Sequence, residues 1–133
     1  MSQASRSSAS RIVDAAHCEG IAVVPIPGAC AAIAALSAAG LPSDRFCFEG
    51  FVPSKRSQRK IFFAQRAKEV RTLVFYETPH RIVESLKVMQ EILGGERRIT
   101  IARELTKQFE QIVRAPLNEI NEKLETEEIV KSK

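Results

Sequence analysis

The chain has 133 residues, 44% of them hydrophobic and 27% charged, with a net charge of +4. That is one domain of ordinary size and not a disordered chain. No apolar run approaches bilayer length, and the Ser-rich, acid-free start from Met1 to Ser10 lacks the apolar core of a secretory signal. Cys18, Cys30 and Cys47 share no paired spacing and only two histidines are present, so no zinc site is expected and the thiols read as reduced, mostly buried and cytoplasmic.

Residues 1–10 read as a disordered lead-in. Arg11 to Glu19 has the spacing of a helix with Ile12, Val13 and Ala16 inward, stopped by Gly20. His17 and Cys18 are neighbours on different faces of that helix, which argues against a nucleophile–base pair. Ile21 to Val24 reads as a short buried strand. The turn Pro25-Ile26-Pro27-Gly28 follows, and Ala29 to Ala39 is a helix made almost wholly of alanine, with Gly40 at its end and Pro42 beyond. A helix start without bulk lets backbone amides approach a flat or phosphate-bearing ligand. Close helix–sheet packing explains the same composition.

Phe46 to Phe51 reads as a second strand, with Phe46 and Phe48 on one face and Cys47 and Glu49 on the other. Lys55 to Val70 reads as a basic helix with Phe63, Ala67 and Val70 inward. Lys55, Arg56, Arg59, Lys60, Arg66, Lys68 and Arg71 face only Glu69, so this segment carries +6 and the rest of the chain −2. Such a patch suits a polyanion such as RNA; a solvated helix face is the alternative.

Thr72 to Tyr76 is a continuous apolar run, typical of a covered strand. Pro79 marks a turn, and His80 to Leu93 is an amphipathic helix with Ile82 or Val83, Leu86, Met89 and Leu93 inward, closed by Gly94-Gly95. Ile99 to Ala102 and Gln111 to Arg114 complete five strands. Leu117, Ile120 and Leu124 line a last helix, and the charged tail 125–133 shows no clear element. The alternation predicts an α/β domain over residues 11–124, a layered mixed sheet of about five strands flanked by helices. Ligands of such sheets bind at strand ends. Glu77, His80 and Arg81 follow the third strand, and Arg103, Glu104 and Lys107 follow the fourth. They converge on one crevice, or else Glu77 and Glu104 pair with Arg81 and Arg103 to hold loops.

Five segments occur in one order: Pro27-Gly28-Ala29-Cys30-Ala31-Ala32-Ile33, Gly40-Leu41-Pro42-Ser43-Asp44-Arg45-Phe46, Phe48-Glu49-Gly50-Phe51, Phe75-Tyr76-Glu77-x-Pro79-His80-Arg81 and Ala102-Arg103-Glu104-Leu105-Thr106-Lys107. Together they resemble the small-subunit ribosomal RNA methyltransferases that modify a cytidine 2′-hydroxyl, within the tetrapyrrole methylase superfamily. The resemblance runs from about Arg11 to about Lys123. It implies S-adenosylmethionine as methyl donor, ribosomal RNA of the small subunit as substrate, and a two-domain enzyme with the cofactor in the cleft between its halves.

This chain resembles the second, C-terminal half. On that resemblance, the family's first domain and the closing strand of its small sheet are expected to have no counterpart in these 133 residues. Ala115-Pro116-Leu117 stands where the wider superfamily has Gly-Thr-Leu. The resemblance places cofactor contacts at Cys30, Ala31, Glu77 and Leu105, largely through backbone groups. Methyl transfer to a ribose hydroxyl is an in-line displacement that a base helps by removing the hydroxyl proton, and that a cation helps by lowering the hydroxyl pKa or gripping the adjacent phosphate. Glu104 or His80 are the base candidates, and Arg81, Arg103 and Lys107 the phosphate or electrostatic groups. Lys55, Arg56, Arg59 and Lys60 would hold the RNA backbone. A sheet with an open edge is also prone to self-association, so a homodimer is a further expectation. The alternative functions are a noncatalytic RNA-binding module and a methylase of tetrapyrrole rings.

Overall fold

The structure, a computed structural model, describes residues 8–131, the side chains of 128–131 excepted. Helix α1 (Ser8–Cys18) begins inside the expected lead-in, and residues 1–7 lie outside the described residues. Gly20 takes the left-handed conformation (φ 71°), and the Ile21 amide donates back to the Ala16 carbonyl, so the helix stops where glycine permits. Its apolar face is not buried: Ile12 is 71% exposed and no residue of α1 is buried, because no described element packs closely on it. Cys18 and Cys30 are exposed and Cys47 half-buried, against the expectation of mostly buried thiols.

Ile21 to Val24 is not a strand. No described strand pairs with it, and Ile21 and Val24 are exposed. The apolar run met the composition of a buried strand without the neighbour that a strand requires.

Helix α2 (Ala31–Ala39) is one residue pair shorter than expected, with Cys30 as its extended N-cap. Alanine loses no side-chain entropy in a helix, and Ala32, Leu36 and Ala39 form its buried face. Gly40 caps it at φ 67°, where a Cβ would lie 2.9 Å from the Arg114 guanidinium carbon. The Thr100 hydroxyl donates to the Ala39 carbonyl at 3.0 Å, so β3 covers one of the helix's unpaired C-terminal carbonyls.

β1 (Phe46–Phe51) and β2 (Thr72–Tyr76) form a parallel pair; β3 (Arg98–Arg103) and β4 (Gln111–Pro116) form an antiparallel hairpin. The expected single sheet of five strands is therefore two sheets of two strands. No ladder joins them among the described residues; α2 packs against β2, β3 and β4 instead. The register of β1 slips between Phe48 and Gly50, leaving Glu49 as the extra residue of a bulge with Gly50 at φ 73°.

α3 (Arg56–Ala64) stops six residues short of Val70, which is 96% exposed; Ala67 is exposed too. Arg66 accounts for the stop. Its guanidinium folds back to the Phe62 carbonyl at 2.8 Å, reaches Glu49 on β1 at 2.9 Å, and stacks on the Phe62 ring. A cation over the last carbonyls ends a helix favourably.

α4 (Ile82–Leu93) buries Ser85, Leu86, Val88 and Met89, with Ile82 partly buried and Val83 turned out. Pro79 to Arg81 form the preceding turn, where the Arg81 amide donates to the Thr78 carbonyl. α5 (Leu117–Lys131) buries Leu117, Ile120 and Leu124 as expected, but continues through the segment read as an unstructured tail. Gln111 on β4 donates to Glu127, which ties that extension to the hairpin. One core joins both sheets: Phe63, Leu86, Val88, Val113, Leu117 and Ile120 are its most buried side chains.

Candidate functional site

Because β1 and β2 are parallel, the loops after both leave the same end of their sheet. The loop after β2 begins with Glu77. Its carboxylate accepts from the Thr78 amide at 2.8 Å and from the Ser85 hydroxyl at 2.6 Å. Ser85 is fully buried on the first turns of α4, so Glu77 fastens the loop to the start of that helix. Glu77 is thus anchored, but by Thr78 and Ser85 rather than by Arg81. The Thr78 hydroxyl beside it is buried without a hydrogen-bond partner. His80 is exposed and Arg81 half-buried.

The loop after β3 is built differently. Glu104 and Thr106 both have positive φ, 52° and 63°. Side chains rarely adopt that conformation, and such residues persist where neighbours hold them. Here the Thr106 amide donates to the Glu110 carboxylate at 3.0 Å, and the Lys107 amide to the Glu104 carbonyl at 3.1 Å. Lys107 Nζ lies 3.4 Å from Glu104, so Glu104 pairs with Lys107. Half-buried Leu105 sits between the two left-handed residues, on a backbone held in one shape. Arg103 is exposed at the end of β3. Each loop therefore satisfies its own carboxylate.

The start of α2 is open. Cys30 and Ala31 are exposed, and Cys30 adds no side-chain cap. The first amides of a helix have no partner within it, so they stay available to a carboxylate or hydroxyl. That donor set fits a nucleoside-bearing ligand.

The basic segment is only partly neutralised within the fold, because its seven cations meet three carboxylates, Glu49, Glu69 and Glu91. Arg59 is buried: its guanidinium donates to the Pro53 carbonyl at 2.8 Å and the Ser54 carbonyl at 2.9 Å, which pins the β1–α3 loop. Arg56 and Lys60 share Glu91 on α4, at 3.5 and 3.1 Å. Lys55 and Lys68 take part in no ion pair among the described residues. A shallow hollow of about 440 Å³ lies beside Glu49, Gln65, Arg66, Lys68 and Glu69. None of the strand-end candidates lines it.

Arg71 grips Glu69 with two side-chain bonds of 2.8 and 3.0 Å. Those bonds, with one from the Arg71 amide, hold the Glu69 carboxyl down to about 2 from an ordinary 4.5. A lowered carboxylate favours the fold above its ordinary pKa, and that contribution fades as pH falls through the folded value. In an NMR titration Glu69 is expected to keep its charge down to about 2, and Arg71→Gln to return its midpoint toward 4.5. Identical midpoints in the two proteins would remove the assigned cause.

Residues 5–121 match the family model of Tetrapyrrole (Corrin/Porphyrin) Methylases. The chain is 56% identical over 111 residues to the ribosomal RNA small subunit methyltransferase I of Pseudomonas aeruginosa, covering 84% of this chain and 39% of that protein. It is 58% identical over 101 residues to the protein of the same name from Vibrio cholerae, covering 76% and 35%. The namesake from Escherichia coli O157:H7 is 54% identical over 101 residues, with the same coverage. The chain spans between 35% and 39% of the length of these relatives. With the family match extending over most of its length, the chain belongs to the tetrapyrrole (corrin/porphyrin) methylase family.

Proposed function

We propose that this chain is the cofactor-completing, RNA-facing part of an S-adenosylmethionine-dependent enzyme that methylates the 2′-hydroxyl of a cytidine in small-subunit ribosomal RNA. The observation that carries the reading is the 56% identity with the Pseudomonas aeruginosa methyltransferase, across 84% of the chain. The open amides at Cys30 and Ala31 and the fixed backbone at Leu105 would hold the cofactor, beside the anchored Glu77. Bound there, S-adenosylmethionine supplies an electrophilic methyl group. Glu104 and His80 are exposed, and one of them would act as base toward the ribose hydroxyl; Arg81, Arg103 and Lys107 would supply positive charge for the adjacent phosphates. Lys55, Arg56 and Lys60 support contact with the RNA backbone. Arg59, buried against two carbonyls, supports the loop that presents them.

The test is a chimera in which this chain replaces the matched segment of the Pseudomonas aeruginosa relative. Transfer of a labelled methyl group to cytidine in small ribosomal subunits is expected. A folded chimera that binds the subunit without transfer would favour a noncatalytic RNA-binding module. Separately, the 133-residue chain is expected to bind S-adenosylmethionine weakly, because Cys30 and Ala31 lie open to solvent. Micromolar affinity in calorimetry would contradict that expectation.

A further inference from the structure

The outer face of the β1–β2 sheet carries an unusual concentration of aromatic rings. The chain has seven phenylalanines and one tyrosine. On β2, Phe75 points inward against Phe62 and Phe63, and Tyr76 points to the opposite face. There it meets Phe48 at 5.2 Å and Phe51 at 5.5 Å between ring centroids. Strict alternation along β1 would put Phe51 on the other side from Phe48. The extra residue of the bulge at Glu49-Gly50 returns it to the same side. Phe48 is 52% exposed and Phe51 68%. Clustered exposed rings mark an interaction surface rather than a core.

The surroundings of the patch identify its occupant. Lys55 follows Phe51 by four residues and Arg81 follows Tyr76 by five, both at the shared end of the parallel strands. Five residues of extended chain reach at most about 18 Å. Aromatic faces bordered by cations are what single-stranded nucleic acid requires: bases stack on rings while cations meet phosphates. We infer that Phe48, Phe51 and Tyr76 form a stacking platform for unpaired bases of an RNA single strand. The inference rests on the RNA-substrate reading above and adds how the strand is held.

Tyr76 is the chain's only tyrosine, and there is no tryptophan. Intrinsic emission therefore reports this platform directly. A mixed-sequence, single-stranded oligoribonucleotide is titrated into the full chain, with fluorescence anisotropy of an end-labelled copy as the independent binding measure. Saturable quenching of Tyr76, with the same midpoint as the anisotropy, is expected; inorganic polyphosphate should not reproduce it. Phe48→Leu and Phe51→Leu should each weaken binding roughly fivefold or more, with circular dichroism unchanged. Anisotropy that rises without quenching, and without sensitivity to either substitution, would place RNA elsewhere and overturn the platform while leaving the RNA reading intact. No anisotropy change at low salt would overturn both. Emission that changes with protein concentration alone, together with a dimer in sedimentation, would assign the face to a second copy and overturn the platform.

Discussion

Phe63→Ala is expected to lower the stability of this domain by about 3–5 kcal/mol. Phe63 has no exposed surface and packs edge to face with Phe62 and Phe75, at centroid distances of 5.5 and 5.7 Å. It comes from α3 and meets β2 across the core that also holds Leu86 of α4. Alanine would remove the ring from both contacts and leave a cavity that three elements cannot close together. Rigid neighbours make that cavity expensive. Since whole domains are stable by only about 5–15 kcal/mol, the loss is a large fraction of the total. Urea unfolding followed by circular dichroism should show the midpoint falling sharply with little change in slope. Phe63→Leu keeps most of the volume and should cost far less. If alanine and leucine shift the midpoint equally and slightly, the aromatic contacts do not hold the core.

Local pattern was legible in the sequence where local physics decides. The alanine run with Gly40 behind it became α2 almost as read, and Leu117, Ile120 and Leu124 became the buried stripe of α5. The strands 46–51 and 72–76 were also visible, with their correct ends. The structure departs from the local pattern where a distant residue decides. Ile21 to Val24 has strand composition, but pairing belongs to a partner that composition does not contain. α3 ends early because Arg66 reaches Glu49, seventeen positions back in sequence. α5 runs on past Glu125 where the bond from Gln111 to Glu127 ties it to β4.

The site follows the same division. Glu77 is visible from its position after a strand, but its hold on Ser85 depends on where α4 begins. Glu104 stood out as a carboxylate; the left-handed backbone at Glu104 and Thr106 did not, since neither residue is glycine. The bulge had a visible signal in the glycine of Phe48-Glu49-Gly50-Phe51, because glycine inside a strand often marks one. The net charge of residues 55–71 does not distinguish its seven cations, although one is buried and several face carboxylates.

Arg59→Ala is expected to cost about 2–4 kcal/mol of stability while leaving RNA affinity per folded molecule nearly unchanged. Two bonds from a charged donor end at the Pro53 and Ser54 carbonyls, and each such bond contributes about 1.5–3 kcal/mol, part of which water recovers once the loop loosens. Lysine has one charged nitrogen and no fork, so Arg59→Lys should regain only part of the loss. Lys55→Ala should behave in the opposite way. Lys55 is exposed at the start of α3 and its loss should move stability by less than about 0.5 kcal/mol. If it meets a phosphate, the slope of log affinity against log salt for single-stranded RNA should flatten by about 0.7. Thermal melts and salt-dependent anisotropy on the two variants therefore separate a loop clamp from a phosphate contact. A stable Arg59→Ala protein with a flattened salt slope would show the guanidinium leaving its carbonyls to meet RNA, because a clamp and a phosphate contact cannot use the same donors at once.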